Sequence, residues 1–131
     1  MIIAVDFDGV LCEDRFPYIG RPKEQVIELI KQLIDQGHEV ILWTSRTDNE
    51  LENAVRWCKW MGLNFCSVNE NAPSNIAQYQ SMYPNGTRKV YADYYIDDHN
   101  LEWAARGKVS GYHRMVECLR SLCKEGNNNA R

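Results

Sequence analysis

The first nine residues, Met1-Ile2-Ile3-Ala4-Val5-Asp6-Phe7-Asp8-Gly9, constrain the fold more than any other stretch. Four apolar residues, Ile2 to Val5, run straight into two carboxylates. An unbroken apolar run bounded by a turn signal reads as a strand buried on both faces. Such strands lie in the middle of parallel α/β sheets, where ligands sit outside the carboxyl ends of the strands. Asp6 is thereby placed where a buried strand meets a crevice. Asp8 follows two residues on, and Gly9 lets the backbone leave the strand sharply. Two carboxylates that close need a neutralising partner, and a hard divalent cation serves best. Beside a cation, an aspartate can act as a nucleophile toward phosphorus. Taken alone, the same Asp-x-Asp-Gly stretch also fits a turn closing a strand or a fragment of a calcium loop. The rest of the chain has to decide.

At 131 residues the chain is long enough for one domain with a real core, assigned here to residues 1–126, with 127–131 as a disordered tail. A formal net charge of −3 gives no electrostatic footprint for general nucleic-acid binding. No apolar run approaches membrane-spanning length, and the N-terminus lacks the basic segment and cleavage site of a signal peptide. The five cysteines, Cys12, Cys58, Cys66, Cys118 and Cys123, are scattered, odd in number and without a Cys-x-x-Cys pair. Reduced thiols in a cytoplasmic protein are the expected state. A zinc site using His99 or His113 has no spacing to support it.

Val10 to Arg21 is irregular and carries Glu13, Asp14, Arg15, Phe16 and Tyr18. It reads either as a ligand-touching loop or as a solvated hairpin with two aromatics packed down. Lys23 to Gln36 has apolar residues at helical spacing, with Pro22 at the first helical position and Gly37 as the stop. Glu39 to Thr44 is a second buried strand, which makes a strand-helix-strand unit with parallel pairing. Thr44-Ser45-Arg46 then sits at a strand's carboxyl end, and Thr47 with Glu50 forms a capping box for the next helix, Asp48 to Met61. Two hydroxyls, exposed amides and an arginine there suit an oxyanion such as phosphate, or else the hydroxyls merely close a turn. Trp57 and Trp60 read as packing residues. Phe65 to Val68 is a short strand, and a short helix spans about Ser74 to Ser81. Tyr94 to Ile96 is a strand that again ends in two carboxylates, Asp97 and Asp98. Adjacent strand residues face opposite ways, so one of the pair is expected to be a metal ligand and the other to orient it. Ser110 is expected to cap a last helix, Gly111 to Lys124, stopped by Gly126.

Three strands thus end in chemistry: Asp6 with Asp8, Thr44, and Asp97 with Asp98. Lys89 stands shortly before the third. If the strands are parallel, these groups gather at one edge of the sheet. In the order of its motifs the chain resembles the haloacid-dehalogenase superfamily of phosphotransferases. The resemblance runs from Met1 to about Trp103 and rests on Asp6-Phe7-Asp8-Gly9-Val10, Leu42-Trp43-Thr44-Ser45-Arg46, Lys89, and Tyr95-Ile96-Asp97-Asp98.

That resemblance implies a three-layer α/β/α sandwich with a Rossmann-like, mostly parallel sheet, the Ile2 strand lying between the Val40 and Tyr95 strands. It implies a Mg²⁺-dependent phosphomonoesterase in which Asp6 forms an aspartyl-phosphate and Asp8 is the general acid and base. Thr44 and Lys89 would hold the phosphoryl oxygens, and Ser45 and Arg46, read above as oxyanion-binding residues of the same turn, are counted with them. Asp6, the backbone carbonyl of Asp8, and Asp97 would bind Mg²⁺, with Asp98 supporting. No cap domain remains to be assigned, so the site is expected to be open, with a second copy of the chain as one way to cover it. The substrate is a phosphorylated molecule that the residues do not name. Two alternatives stand beside this: a phosphate-binding or regulatory module without useful turnover, and a polynucleotide-end phosphatase. The acidic chain argues against the second, and Asp8 argues against the first, because binding alone needs no general acid.

Overall fold

A computed structural model describes residues 1–129 and the side-chain surroundings of residues 1–125. Its centre is a sheet of four parallel strands: β1 (Ile2–Val5), β4 (Glu39–Leu42), β5 (Ser67–Val68) and β6 (Tyr94–Ile96). They are ordered β5-β4-β1-β6. β1 therefore lies between the Val40 and Tyr95 strands, as expected. Its register pairs Val5 with Leu42 on one side and with Ile96 on the other, so Asp6 and Asp97 leave the sheet side by side.

The two faces of β1 bury different things. Ile3 and Val5 belong to the larger core, with Val40, Leu42 and Ile96. Helices α1 (Glu24–Asp35), α2 (Asp48–Trp60) and α5 (Lys108–Asn129) cover that face. Val26, Ile27, Leu29, Ile30 and Leu33 of α1 are buried there, each contributing about 1.5–3 kcal/mol relative to exposure. Ala4 and Ile41 point the other way, against Ala72, Val90 and Ala92. That second cluster is thin: its covering residues are Ala72, just before the short helix α3 (Pro73–Tyr79), and Val90 and Ala92 of the chain leading into β6, while α3 itself buries no residue. The small α4 (Leu101–Arg106) packs on α5.

Local chemistry explains where the helices stop. After α1, the Gly37 N–H bonds the Ile34 carbonyl (3.0 Å) and the His38 N–H bonds the Leu33 carbonyl (3.1 Å). This Schellman closure needs the left-handed backbone of Gly37 (φ 90°). Gly62 closes α2 in the same way.

Of the two readings of Val10 to Arg21 the hairpin forms, while several other expectations are corrected. The stretch contains an antiparallel hairpin, β2 (Cys12–Arg15) and β3 (Tyr18–Pro22). Its aromatics are not packed down, since Phe16 and Tyr18 are 60% and 78% exposed. Pro22 ends β3 and does not open α1. Thr47 is the N-cap of α2, but no side-chain cap bond forms; Asp48, at φ 51°, departs from the backbone a capping box requires. The last helix begins at Lys108, directly after Gly107, so Ser110 lies inside it. Gly111 also lies inside it, where a Cβ would overlap the Trp103 ring. Gly126 does not stop this helix: its backbone continues to Asn129, three residues into the expected tail. The end of that tail, residues 130–131, lies outside the described residues. All five cysteines are free, and no helix among the described residues is long and apolar enough to cross a membrane.

Candidate functional site

The carboxyl ends of β1, β4 and β6 open onto a cavity of about 320 Å³. Asp6, Asp8, Thr44, Ser45, Asp97 and Asp98 line it, together with Asp14, Trp43 and His99. Six of the eight expected site residues therefore share one cavity. Arg46 and Lys89 do not line it. The lining carries five carboxylates and one imidazole, and no lysine or arginine.

Asp6 continues β1 by one residue, its N–H bonded to the Ile96 carbonyl of β6 (2.9 Å). Its Oδ1 accepts the Phe7 N–H (2.8 Å). Oxygens of Asp6, Asp97 and Asp98 lie within 4.8 Å of one another. Burial pushes the Asp6 carboxyl up to about 8, with the charge of Asp97 adding to the effect and the Phe7 N–H opposing it. Burial also raises the Asp98 carboxyl, partly offset by His99. Asp6 and Asp98 thus resist ionisation in these surroundings.

Asp97 and Asp98 correct an expectation. Strand alternation assigned them to opposite faces, but β6 ends at Ile96, before either. Asp97 begins a turn, its Oδ1 accepting the His99 N–H (2.8 Å), and both carboxylates reach the cluster. Asp98 is seated against Gly9. A Cβ on Gly9 would stand 2.6 Å from Asp98 Cγ and overlap Oδ2, and Gly9 has φ 85°. Glycine is required there twice over. Asp98 Oδ1 is buried with no hydrogen-bond partner.

Asp8 turns away from the cluster. Its two carboxylate oxygens accept Arg46 Nε (to Oδ2, 2.8 Å) and Arg46 NH2 (to Oδ1, 2.8 Å). Arg46 is 2% exposed. Its remaining bonds go to the carbonyls of Tyr18 (2.8 Å), Pro17 (3.2 Å) and Glu50 (3.4 Å). The hydrogen bond to Asp8 raises the Arg46 guanidinium further, so it stays charged despite burial. Arg46, expected among the phosphate ligands, has all its donors committed to protein acceptors. Lys89 is exposed, its Nζ 5.1 Å from the Tyr95 ring centroid.

The Thr44 loop is fixed from two sides. Thr44 Oγ accepts the Arg46 N–H (3.1 Å), and the Thr44 N–H donates to Asn69 Oδ1 (2.8 Å). Thr44 therefore does close a turn, while it and Ser45 still line the cavity. Asp14 lines the cavity, in keeping with the ligand-touching reading of its loop, whereas Asn69, His99 and Gly9's role as the Asp98 seat were not foreseen. Asn69 had a signal: it follows a strand and tolerates the left-handed backbone it adopts (φ 54°). Cys12 and Cys58 are no alternative nucleophiles, since burial pushes their thiols up to about 11 and about 12.

No family profile matches the chain, and no curated protein matches it. Among solved structures, a conserved protein from Bacteroides thetaiotaomicron is similar at 34% sequence identity and a TM-score of 0.68. The similarity covers 89% of this chain and 90% of that one.

Proposed function

We propose that this chain, which belongs to the same family as the conserved Bacteroides thetaiotaomicron protein, is a Mg²⁺-dependent phosphomonoesterase of the haloacid-dehalogenase type. In that reading the parallel sheet is the middle of an uncapped three-layer α/β/α core. The observation that carries it is the meeting of Asp6, at the end of the central strand, with Asp97 and Asp98 in a cavity rimmed by the Thr44 and Ser45 hydroxyls.

The residues fit a hard cation. The donors are carboxylate oxygens, one of them, Asp98 Oδ1, buried without a partner, and burial resists the ionisation of Asp6 and Asp98, which a cation would offset. Asp6, Asp97 and Asp98 would hold the ion, with the Asp8 carbonyl added by the family resemblance. When bound, Mg²⁺ supplies the positive charge that an anionic ester needs to enter a cavity lined by five carboxylates.

The chain's own residues then divide the work. An oxygen of Asp6 attacks phosphorus and the ester P–O bond breaks, leaving an aspartyl-phosphate. Asp8 gives a proton to the departing alkoxide. Water then attacks the same phosphorus, its proton passes to Asp8, and inorganic phosphate leaves with Asp6 restored. Thr44 and Ser45 donate hydrogen bonds to the phosphoryl oxygens.

The Arg46 grip on Asp8 favours a second reading, a phosphate-binding module with little turnover, because both oxygens of Asp8 already have a protein partner. A panel of phosphate esters, assayed with Mg²⁺ and with excess chelator, separates the two. Metal-dependent release of phosphate is expected. Binding of phosphate without release from any ester would establish the module instead.

A further inference from the structure

Arg46 has five N–H donors and five acceptors: both oxygens of Asp8 and the carbonyls of Pro17, Tyr18 and Glu50. Its guanidinium also lies 5.0 Å from the Phe7 ring centroid and 5.1 Å from that of Phe16. Three separate pieces of chain thus meet on one buried cation: the Asp8 turn, the tip of the β2–β3 hairpin, and the first turn of α2. Asp8 balances its charge, and the hairpin tip takes as many of its donors, two, as the counter-ion does.

We infer that Arg46 is the positioning residue for Asp8 and that the Phe16–Tyr18 tip sets Arg46, so that the hairpin's position reaches the proton-transfer group. This role rests on the phosphatase reading. Each carboxylate oxygen has two lone pairs, and the fork uses one on each. A proton carried on one of the free lone pairs of Asp8, which lines the cavity, can pass to the leaving alkoxide, and the lone pair it vacates can take a proton from the attacking water. The fork fixes their direction, since planar two-point pairing removes the carboxylate's rotation. Lysine cannot reproduce this, because a point charge pairs with one oxygen at a time. Movement of the tip by a bound substrate would shift two of the guanidinium's anchors together and re-aim Asp8. Phe16 is exposed, so its ring can be removed without opening the core.

The test compares Arg46→Lys, Phe16→Ala and Asp8→Asn, and the Asp8→Asn/Arg46→Lys double variant, on an alkyl phosphate and on 4-nitrophenyl phosphate with Mg²⁺. Far-UV circular dichroism establishes that each is folded. Arg46→Lys is expected to lose about 10²-fold in kcat on the alkyl ester and under about tenfold on the aryl ester, which needs little protonation. Phe16→Ala should show the same bias at about three- to tenfold, without disturbing any buried charge. The double variant should be no worse than Asp8→Asn, since the two residues act as a unit. Turnover by the unaltered chain with equal losses on both esters, or additive losses in the double variant, would overturn the role of Arg46 alone. No turnover by the unaltered chain on either ester would remove the phosphatase reading and this role with it. The fork itself is read separately by hydrogen exchange of Arg46 Nε–H, expected to be slow in the unaltered chain and fast in Asp8→Asn.

Discussion

Replacing Asp6 by asparagine should stabilise the metal-free protein, and the pH dependence of that gain can be worked out in advance. In the unfolded chain the Asp6 carboxyl ionises near 3.8; in the fold, burial and Asp97 hold it protonated up to about 8. Between those values the unfolded state has released a proton that the folded state keeps. Stability therefore falls as pH rises through this window and levels off above about 8. At 1.36 kcal/mol per unit the full window would be worth about 6 kcal/mol for a lone group. Asp6 is not alone. Asp98 is also raised, and a proton placed on either neighbour relieves the same repulsion, so the expected gain is smaller, about 2 kcal/mol. Asparagine keeps the size of the side chain and an Oδ1 for the Phe7 N–H, which isolates the charge as the variable. The assay is urea unfolding followed by the fluorescence of the four tryptophans, at several values from about pH 4 to about pH 9, in excess chelator. Asp6→Asn should exceed the parent near pH 8 and match it near pH 4. Adding Mg²⁺ should reverse the order, because the parent gains about 2.7 kcal/mol at a hundredfold excess over Kd and the variant, short of a ligand, gains less. An asparagine variant less stable than the parent at every pH in chelator, or one shifted equally by Mg²⁺, would refute the reasoning.

Asp97→Ala should weaken Mg²⁺ binding by at least about tenfold and activity with it, read from the Mg²⁺ dependence of Tm and of turnover. Gly9→Ala should cost about 2–3 kcal/mol in urea unfolding through its left-handed backbone and the displaced Asp98 carboxylate, and it should lower metal affinity as well; an unchanged protein would show that Asp98 is free to move. Asp8→Asn should lose about 10²- to 10⁴-fold on alkyl esters and far less on activated aryl esters. It should also accumulate phosphate on Asp6, detectable by acid trapping of the labelled chain; equal losses on both esters would remove Asp8 from proton transfer.

The placement of Asp6 was legible because it follows from one local pattern. Only a strand buried on both faces accepts Ile2 to Val5 without a polar break, and its central position brings the ends of β4 and β6 alongside. The helix stops at Gly37 and Gly62 were legible for the same kind of reason, being closures within a few residues. The end of the Tyr94 strand at Ile96 was read correctly, but alternation was carried past it to Asp97 and Asp98; it governs side-chain direction only while the ladder with β1 lasts. The hairpin tip was left between two readings for a different reason. Neither a ligand-touching loop nor aromatics packed down describes Phe16, which is exposed and places its ring beside the Arg46 guanidinium, a partner that is distant in sequence.

Arg46 shows where local reading stops and why. Its position four residues beyond β4 told only that it lies near the cavity. Two partners were on offer there, an incoming phosphate and Asp8, and both are oxyanions that suit a guanidinium fork. The choice is made by depth. At the mouth of the cavity an arginine stays solvated and can wait for a ligand. At 2% exposure it must satisfy every donor from the protein itself, because unpaired buried charge is costly. The hairpin supplies two of those acceptors, 28 and 29 residues away in sequence, and burial then leaves none of the donors for substrate. The same step that takes Arg46 from the phosphate ties it to Asp8. The cavity is left with no arginine or lysine in its lining, so under the proposed function the neutralisation of a phosphate ester there would fall to a cation held by Asp6, Asp97 and Asp98.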